Sequence, residues 1–307
     1  MGRFRKSILM LGLSLVAACE VVPTTSPPPA PKPAPQVQSD ASRDLQIYYG
    51  RVQADLLARG LLRTDGGGPD TPYTPDMMAR NFEQIAFYDE YASGGGLKPA
   101  NGTAGKLRRW SGPVRVSVEY GASVLSDMRA QDTALVQGYV GRLASVTNHA
   151  ISYNSGRPNF HVLVMGEDDK DQLARRLRQI IPGASTATMS LFLNVQRSID
   201  CLVVAFSSEG NDHDYKKAVA LVRSEHPDLM RKSCYHEEIA QGLGLANDSP
   251  TARPSIFNDD DEFALLTTHD ESLLAILYDP RLQLGMSLEQ ARPVVHILAR
   301  EQAGRIY

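Results

Sequence analysis

Beyond its first twenty residues the chain has no long apolar run, no dense stripe of lysine and arginine, and very little cysteine. Without a run of about 20 apolar residues there is no candidate for a membrane-spanning helix. Lys and Arg total 32 against 35 Asp and Glu, a net charge of −3. That balance disfavours a nucleic-acid partner, since phosphate binding needs a concentrated basic surface. No Gly-x-Ser-x-Gly elbow and no Ser-x-x-Lys pair occurs, so serine-hydrolase and penicillin-binding chemistry lack their nucleophile. Gly242-Leu-Gly244 is not a dinucleotide loop, because no strand leads into it and the third glycine is missing. No internal repeat is visible. What is present is 42 % hydrophobic and 22 % charged residues, enough to bury an ordinary core from about Asp40 to Tyr307.

The N-terminus carries Arg3, Arg5 and Lys6 and then an apolar run from Ile8 to Ala18, the pattern of an export signal. The run ends in Val16-Ala17-Ala18-Cys19, which resembles the bacterial lipobox. That resemblance implies a signal peptide over 1–18, lipidation of Cys19 and a membrane anchor. The alternative is ordinary cleavage near Ala18 and a soluble product. Glu20 follows where inner-membrane retention would call for aspartate. By resemblance to Gram-negative lipoproteins, this implies an outer-membrane lipoprotein facing the periplasm. The proline-rich stretch Val22–Pro35, within a tether over 19–40, predicts extended polyproline II. At about 3.1 Å per residue it would span roughly 45 Å as a spacer, although such tracts also serve as docking ligands. With Cys19 lipidated, Cys201 and Cys234 remain as an even pair in an oxidising compartment, and a disulfide is the natural inference. Two buried thiols or a redox pair are the alternatives, the last disfavoured by a spacing far from Cys-x-x-Cys.

Helical spacing over Asp44–Leu62, and Thr74-Pro75-Asp76 as a cap opening a helix toward Tyr91, predict an N-terminal helical subregion over 41–105. From 106 to 307 strands and helices alternate. Val114–Tyr120 alternates as a half-buried strand, Phe160–Val164 is a second, Cys201–Phe206 reads as a continuous apolar central strand, and Lys217–Val222 as one nearer an edge. Helices are expected over Asp127–Thr147, Asp169–Ile180, Leu229–Leu245, Leu266–Tyr278 and Ser287–Ala303. The fold class is α+β, a mixed sheet with flanking helices and a helical C-terminal part.

The stretch that carries chemistry is Cys234-Tyr-His-Glu-Glu-Ile-Ala-Gln-Gly-Leu-Gly-Leu-Ala-Asn-Asp-Ser249. A metzincin motif, His-Glu-x-x-His-x-x-Gly-x-x-His, sets two histidines and a general-base glutamate on one helix and returns a third ligand after a glycine bend. In that register the chain reads Glu237-Glu238-Ile-Ala-Gln241-Gly-Leu-Gly244-Leu-Ala-Asn247, and so resembles a metzincin core with all three histidines replaced. Thr267–Asp270 and Leu273–Tyr278 resemble the segment that follows the metal helix in such peptidases. The chain also looks like an uncharacterised family of bacterial envelope proteins, a domain of unknown function. The patterns are Cys-x-x-Glu-Glu-x-x-Gln-x-x-Gly-Leu-x-Asn-Asp, Pro254-Ser-Ile-Phe-Asn-Asp259, and Leu277-Tyr-Asp-Pro with Gly285-Met286. This second resemblance covers residues 110–305 and brings no known activity.

The metzincin resemblance implies Glu238 as general base and Glu237, Gln241 and Asn247 as degenerate metal positions. One carboxylate and two amides are a weak set for zinc and suit a harder divalent cation, the one cofactor the resemblance admits. Gln241 and Asn247 could instead hydrogen-bond Glu237 and hold the bend together without any metal. His236-Glu237 does not rescue the motif, since a histidine would be needed at Ala240; a lone histidine there reads as a cap or surface residue. Asn258–Glu262 reads as a solvated acidic loop, lacking EF-hand spacing. Met286 is either a Met-turn equivalent or a packing residue. The leading expectation is a catalytically silent domain that binds a peptide, protein or cell-wall partner. The alternatives are an active metal-dependent hydrolase using Glu238, and a structural or assembly lipoprotein. Internal hydrogen bonding of those side chains would favour the last.

Overall fold

The computed structural model describes residues 37–89, 102–258 and 260–306. The expected signal peptide, Cys19 and the proline tract to Pro35 lie outside the described residues, as does Asp259. Residues 36–307 form one compact unit.

Helix α1 (Asp40–Ala58) begins where the Ser39 hydroxyl accepts the Ser42 N–H, ahead of the expected Asp44. Helix α2 (Pro75–Phe87) opens as its sequence predicts, with Thr74 Oγ1 accepting from Met77 N–H and proline in the first turn. Strand β1 (Val114–Tyr120) is followed by α3 (Ser126–Thr147), the short strand β2 (Ile151–Tyr153), β3 (Phe160–Met165), α4 (Lys170–Ile180) and α5 (Thr186–Leu193). A hairpin of β4 (Cys201–Ser208) and β5 (Asn211–Arg223) leads into α6 (Asp228–Leu243), α7 (Thr268–Leu277) and α8 (Leu288–Ile306). The architecture is α+β, as expected. β2 and α5 were not legible in the sequence: one has only three residues, and the other is a short helix with little polar alternation.

The five strands lie in the order β2-β1-β3-β5-β4. All neighbours are parallel except β4, which runs antiparallel to β5. This corrects the expected placement of the hairpin. Cys201–Phe206 is an edge strand, and Lys217–Val222 lies inside the sheet between β3 and β4. The reason is that β4 is covered on both faces. Cys201, Val203 and Ala205 pack against the main core, while Leu202, Val204 and Phe206 pack against the cluster of α4 and α5. An unbroken apolar run reports two covered faces, not two neighbouring strands.

The main core joins the sheet to α2, α3, α6, α7 and α8. Trp110 is buried in it, stacked on Phe160, with Nε1 donating to the Gly242 carbonyl at 2.8 Å. Residue 242 must be glycine for α6 to lie this close to the sheet, since a Cβ would come within 2.5 Å of the Phe160 ring and 3.2 Å of Val203. Gly244, at φ +131°, ends the helix where a Cβ would meet the Arg108 carbonyl at 2.5 Å. Met286 is half-buried and packs against this core.

Candidate functional site

Helix α6 is fixed from three sides before its acidic residues are reached. Buried Arg231 donates to Asp132 of α3 at 2.6 and 3.2 Å, and Tyr235 Oη donates to the same carboxylate at 2.7 Å. Losing one partner of such a buried pair would leave the other charge uncompensated, so the group pins the helix firmly. His236 is buried rather than capping or exposed. Its ring stacks on Tyr139 at 4.0 Å, and its Nδ1 accepts the Leu266 N–H at 3.0 Å. Burial holds its pKa down at about 3, so the imidazole is neutral. On the third side Cys234 is joined to Cys201 by a disulfide, which ties α6 to the first residue of β4.

The next residues form the site. Glu237 is half-buried and Glu238 buried; one oxygen of each and the Cys201 sulfur all lie within 4.8 Å of one another. The two carboxylates therefore converge beside the beginning of β4. Among the described residues no strand lies beyond β4 in the sheet, so the strand whose first residue lies beside this carboxylate pair is an edge strand.

The remaining expected positions do not join them. Gln241 Nε2 donates to Asp248 Oδ1 at 2.9 Å. Asn247 turns to α2, its side-chain amide donating to the Gln84 carbonyl at 3.0 Å and its backbone N–H to the Ile85 carbonyl at 3.1 Å. The bend at Gly244 thus returns Asn247 to the end of α2, not to Glu237. These residues do not fit a zinc ion. The one sulfur near the carboxylates is already bonded to another sulfur, and the two amides are engaged elsewhere, whereas zinc takes four ligands from thiolate, imidazole and carboxylate. Two carboxylates beside the start of β4 can accept hydrogen bonds and pair with cationic groups.

Three features here escaped the sequence reading. Asp248 holds Gln241, and its signal was the Asn-Asp pair closing the motif. The edge position of β4 had no local signal. Asp200, the residue before β4, has a pKa pushed up to about 6, chiefly by burial and then by the negative charge of Asp261, with Arg223 opposing. The acidic run around Asp260 is closed by its own bonds. Asp260 Oδ1 accepts the Glu262 N–H at 3.0 Å, and Glu262 pairs with Arg63 and Arg253.

The family described as "Protein of unknown function (DUF2927)" matches residues 75–297. No curated protein and no solved structure matches the chain. The metzincin resemblance gains no support from these comparisons. The matched span runs from α2 into α8 and takes in the whole sheet, the disulfide and the carboxylate pair, and on that match the chain belongs to the DUF2927 family.

Proposed function

We propose that this is a non-catalytic binding domain that takes an extended peptide, from a protein or a cell-wall component, along the outer edge of β4. The observation that carries the reading is the pinning of Glu237 and Glu238 beside an edge strand by the Cys201–Cys234 bond. An edge strand offers a row of backbone donors and acceptors that a peptide can complete as one more strand. The carboxylate pair then favours a segment carrying a lysine, arginine or other amine opposite Cys201. In this reading the helix keeps the outline of a metzincin metal helix while Gln241 and Asn247 serve the bend. A hydrolase is disfavoured in this reading because Gln241 and Asn247, two of the three residues expected to hold the metal, are bonded to Asp248 and Gln84 instead. The setting we propose is the bacterial envelope, with a lipid on Cys19 and the domain facing the periplasm. A disulfide suits such an oxidising compartment.

The test is calorimetric titration of the full chain with extended peptides that differ only in one central lysine or glutamate. Saturable binding of the lysine peptide, weakened at least tenfold by Glu237→Gln with Glu238→Gln, is the expected result. Equal or absent binding of both peptides would remove the proposal.

A structural or assembly role is the second reading. It is favoured by the engagement of Gln241 with Asp248 and of Asn247 with Gln84.

A further inference from the structure

Another cluster lies at the opposite end of β5 from its hairpin turn. Arg223, Glu225 and His226 are 8 %, 3 % and 2 % exposed. Each has one buried polar atom without a hydrogen-bond partner among the described residues: Arg223 Nε, Glu225 Oε2 and His226 Nδ1. Each also has an atom that is engaged. Arg223 Nη2 donates to the Val195 carbonyl at 2.6 Å, and Glu225 Oε1 accepts from Ser42 Oγ at 2.9 Å and from the Glu167 N–H at 2.6 Å. His226 Nε2 lies 2.8 Å from the Asp200 carbonyl.

Helix α1 covers this cluster. The Tyr49 ring lies 4.2 Å from His226, Ser42 bonds Glu225, and the Ser39 N–H donates to Asp168. Its apolar footing is a cluster separate from the main core, with Tyr49 and Leu56 meeting Leu62, Met230 and Ala264 and with Leu45, Tyr48 and Val52 half-buried at its rim, while Ile47 and Leu57 face outward at 47 % exposure each. Buried polar atoms that gave up water without a new partner oppose docking and offset part of what these contacts contribute. It also precedes the span matched by the family, which starts at residue 75.

The same helix grips the start of both elements that make the site. Tyr49 Oη donates to the Arg197 carbonyl at 3.1 Å, just ahead of β4. Gln53 Oε1 accepts the Met230 N–H at 3.2 Å, in the first turn of α6. We infer that α1 is a separable clasp, opening as a unit while the sheet stays folded and loosening the entry to β4 and the first turn of α6 when it does. Release of the clasp therefore alters the strand edge that receives the peptide; only this last consequence rests on the proposed binding function.

Hydrogen exchange read by mass spectrometry on the full chain tests the clasp. We expect amides of 40–58 to exchange at least tenfold faster than those of β3. Tyr49→Ala should speed exchange in 197–203 and 228–233 while β1 and β3 stay protected. Exchange of α1 only at the rate of the sheet would overturn the inference, as would unchanged rates in those two segments in Tyr49→Ala. Gln53→Ala, which removes the bond to Met230 alone, repeats the test at 228–233 should Tyr49→Ala fail to fold. Positive exchange results together with a failed peptide titration would uphold the clasp and remove the binding function.

Discussion

Cys201 and Cys234, 33 residues apart, are bonded with their Cα atoms 5.8 Å apart, so that the first residue of the edge strand and the middle of α6 move as one piece. A crosslink across a loop of this length restricts the unfolded chain, which by loop entropy alone stabilises the fold by about 3–4 kcal/mol. Replacing both cysteines with serine should lower stability by that order, read by urea unfolding. An unchanged midpoint would mean that the bond leaves the unfolded ensemble unconstrained.

Acid should destabilise the domain from near neutrality downward. His236 and His226 are held at about 3 and about 4 by burial, against an ordinary 6.5. Each is therefore neutral in the folded state where the unfolded chain would already be protonated. Their contribution is complete above pH 6.5 and falls away as pH drops through 6.5 toward those values, by about 1.4 kcal/mol per pH unit for each group. Asp200, raised to about 6, acts the other way with one proton, being most favourable to the fold below 3.8. Glu225, also raised by burial, acts with Asp200, while His149, lowered by burial, acts with the other two histidines, so three groups outnumber two as pH falls below 6. His236→Phe should flatten the profile and cost about 1–3 kcal/mol at pH 7, because the buried Leu266 N–H loses its acceptor. Unfolding curves at pH 7 and 5 decide it; the same slope in the variant would clear His236.

Gly242→Ala should destabilise by about 1–3 kcal/mol, as overpacking does in a filled core. The added methyl meets the Phe160 ring, which is itself stacked on Trp110. Both the melting temperature and Trp110 fluorescence should shift. An alanine variant as stable as the native chain would show that α6 can retreat from the sheet at no cost.

Cys19→Ser should release the protein from the membrane fraction if Cys19 carries the proposed lipid. Continued sedimentation with membranes, measured after a salt wash, would remove the anchor.

Much of the fold was legible locally. The alternation of Val114, Val116 and Val118 and the Thr74-Pro75 start of α2 each act within one or two turns of chain, whereas the helix expected to reach Leu245 stops at Leu243, ahead of Gly244. The pairing of Cys201 with Cys234 followed from counting. The motif around Glu237 and Glu238 is legible in the sequence, but where its parts go is not. Asn247 was expected at a ligand position and instead bonds the end of α2, some 160 residues earlier in the chain. The cap-or-surface reading of His236 failed for a similar reason, since its partners Tyr139 and Leu266 come from distant elements.

The sequence alone determined most of the helices and strands, the even cysteine pair that a disulfide would join, and the short pattern that carries the acidic site. These depend on backbone sterics and on the periods of 3.6 and 2 that they impose within a segment. Only the tertiary structure decided that β4 lies at the edge, that Glu237 and Glu238 converge beside it, and that Gln241 and Asn247 turn elsewhere. Strand order is set by hydrogen bonding between residues far apart in the chain, and an apolar run carries no record of whether its second edge is paired.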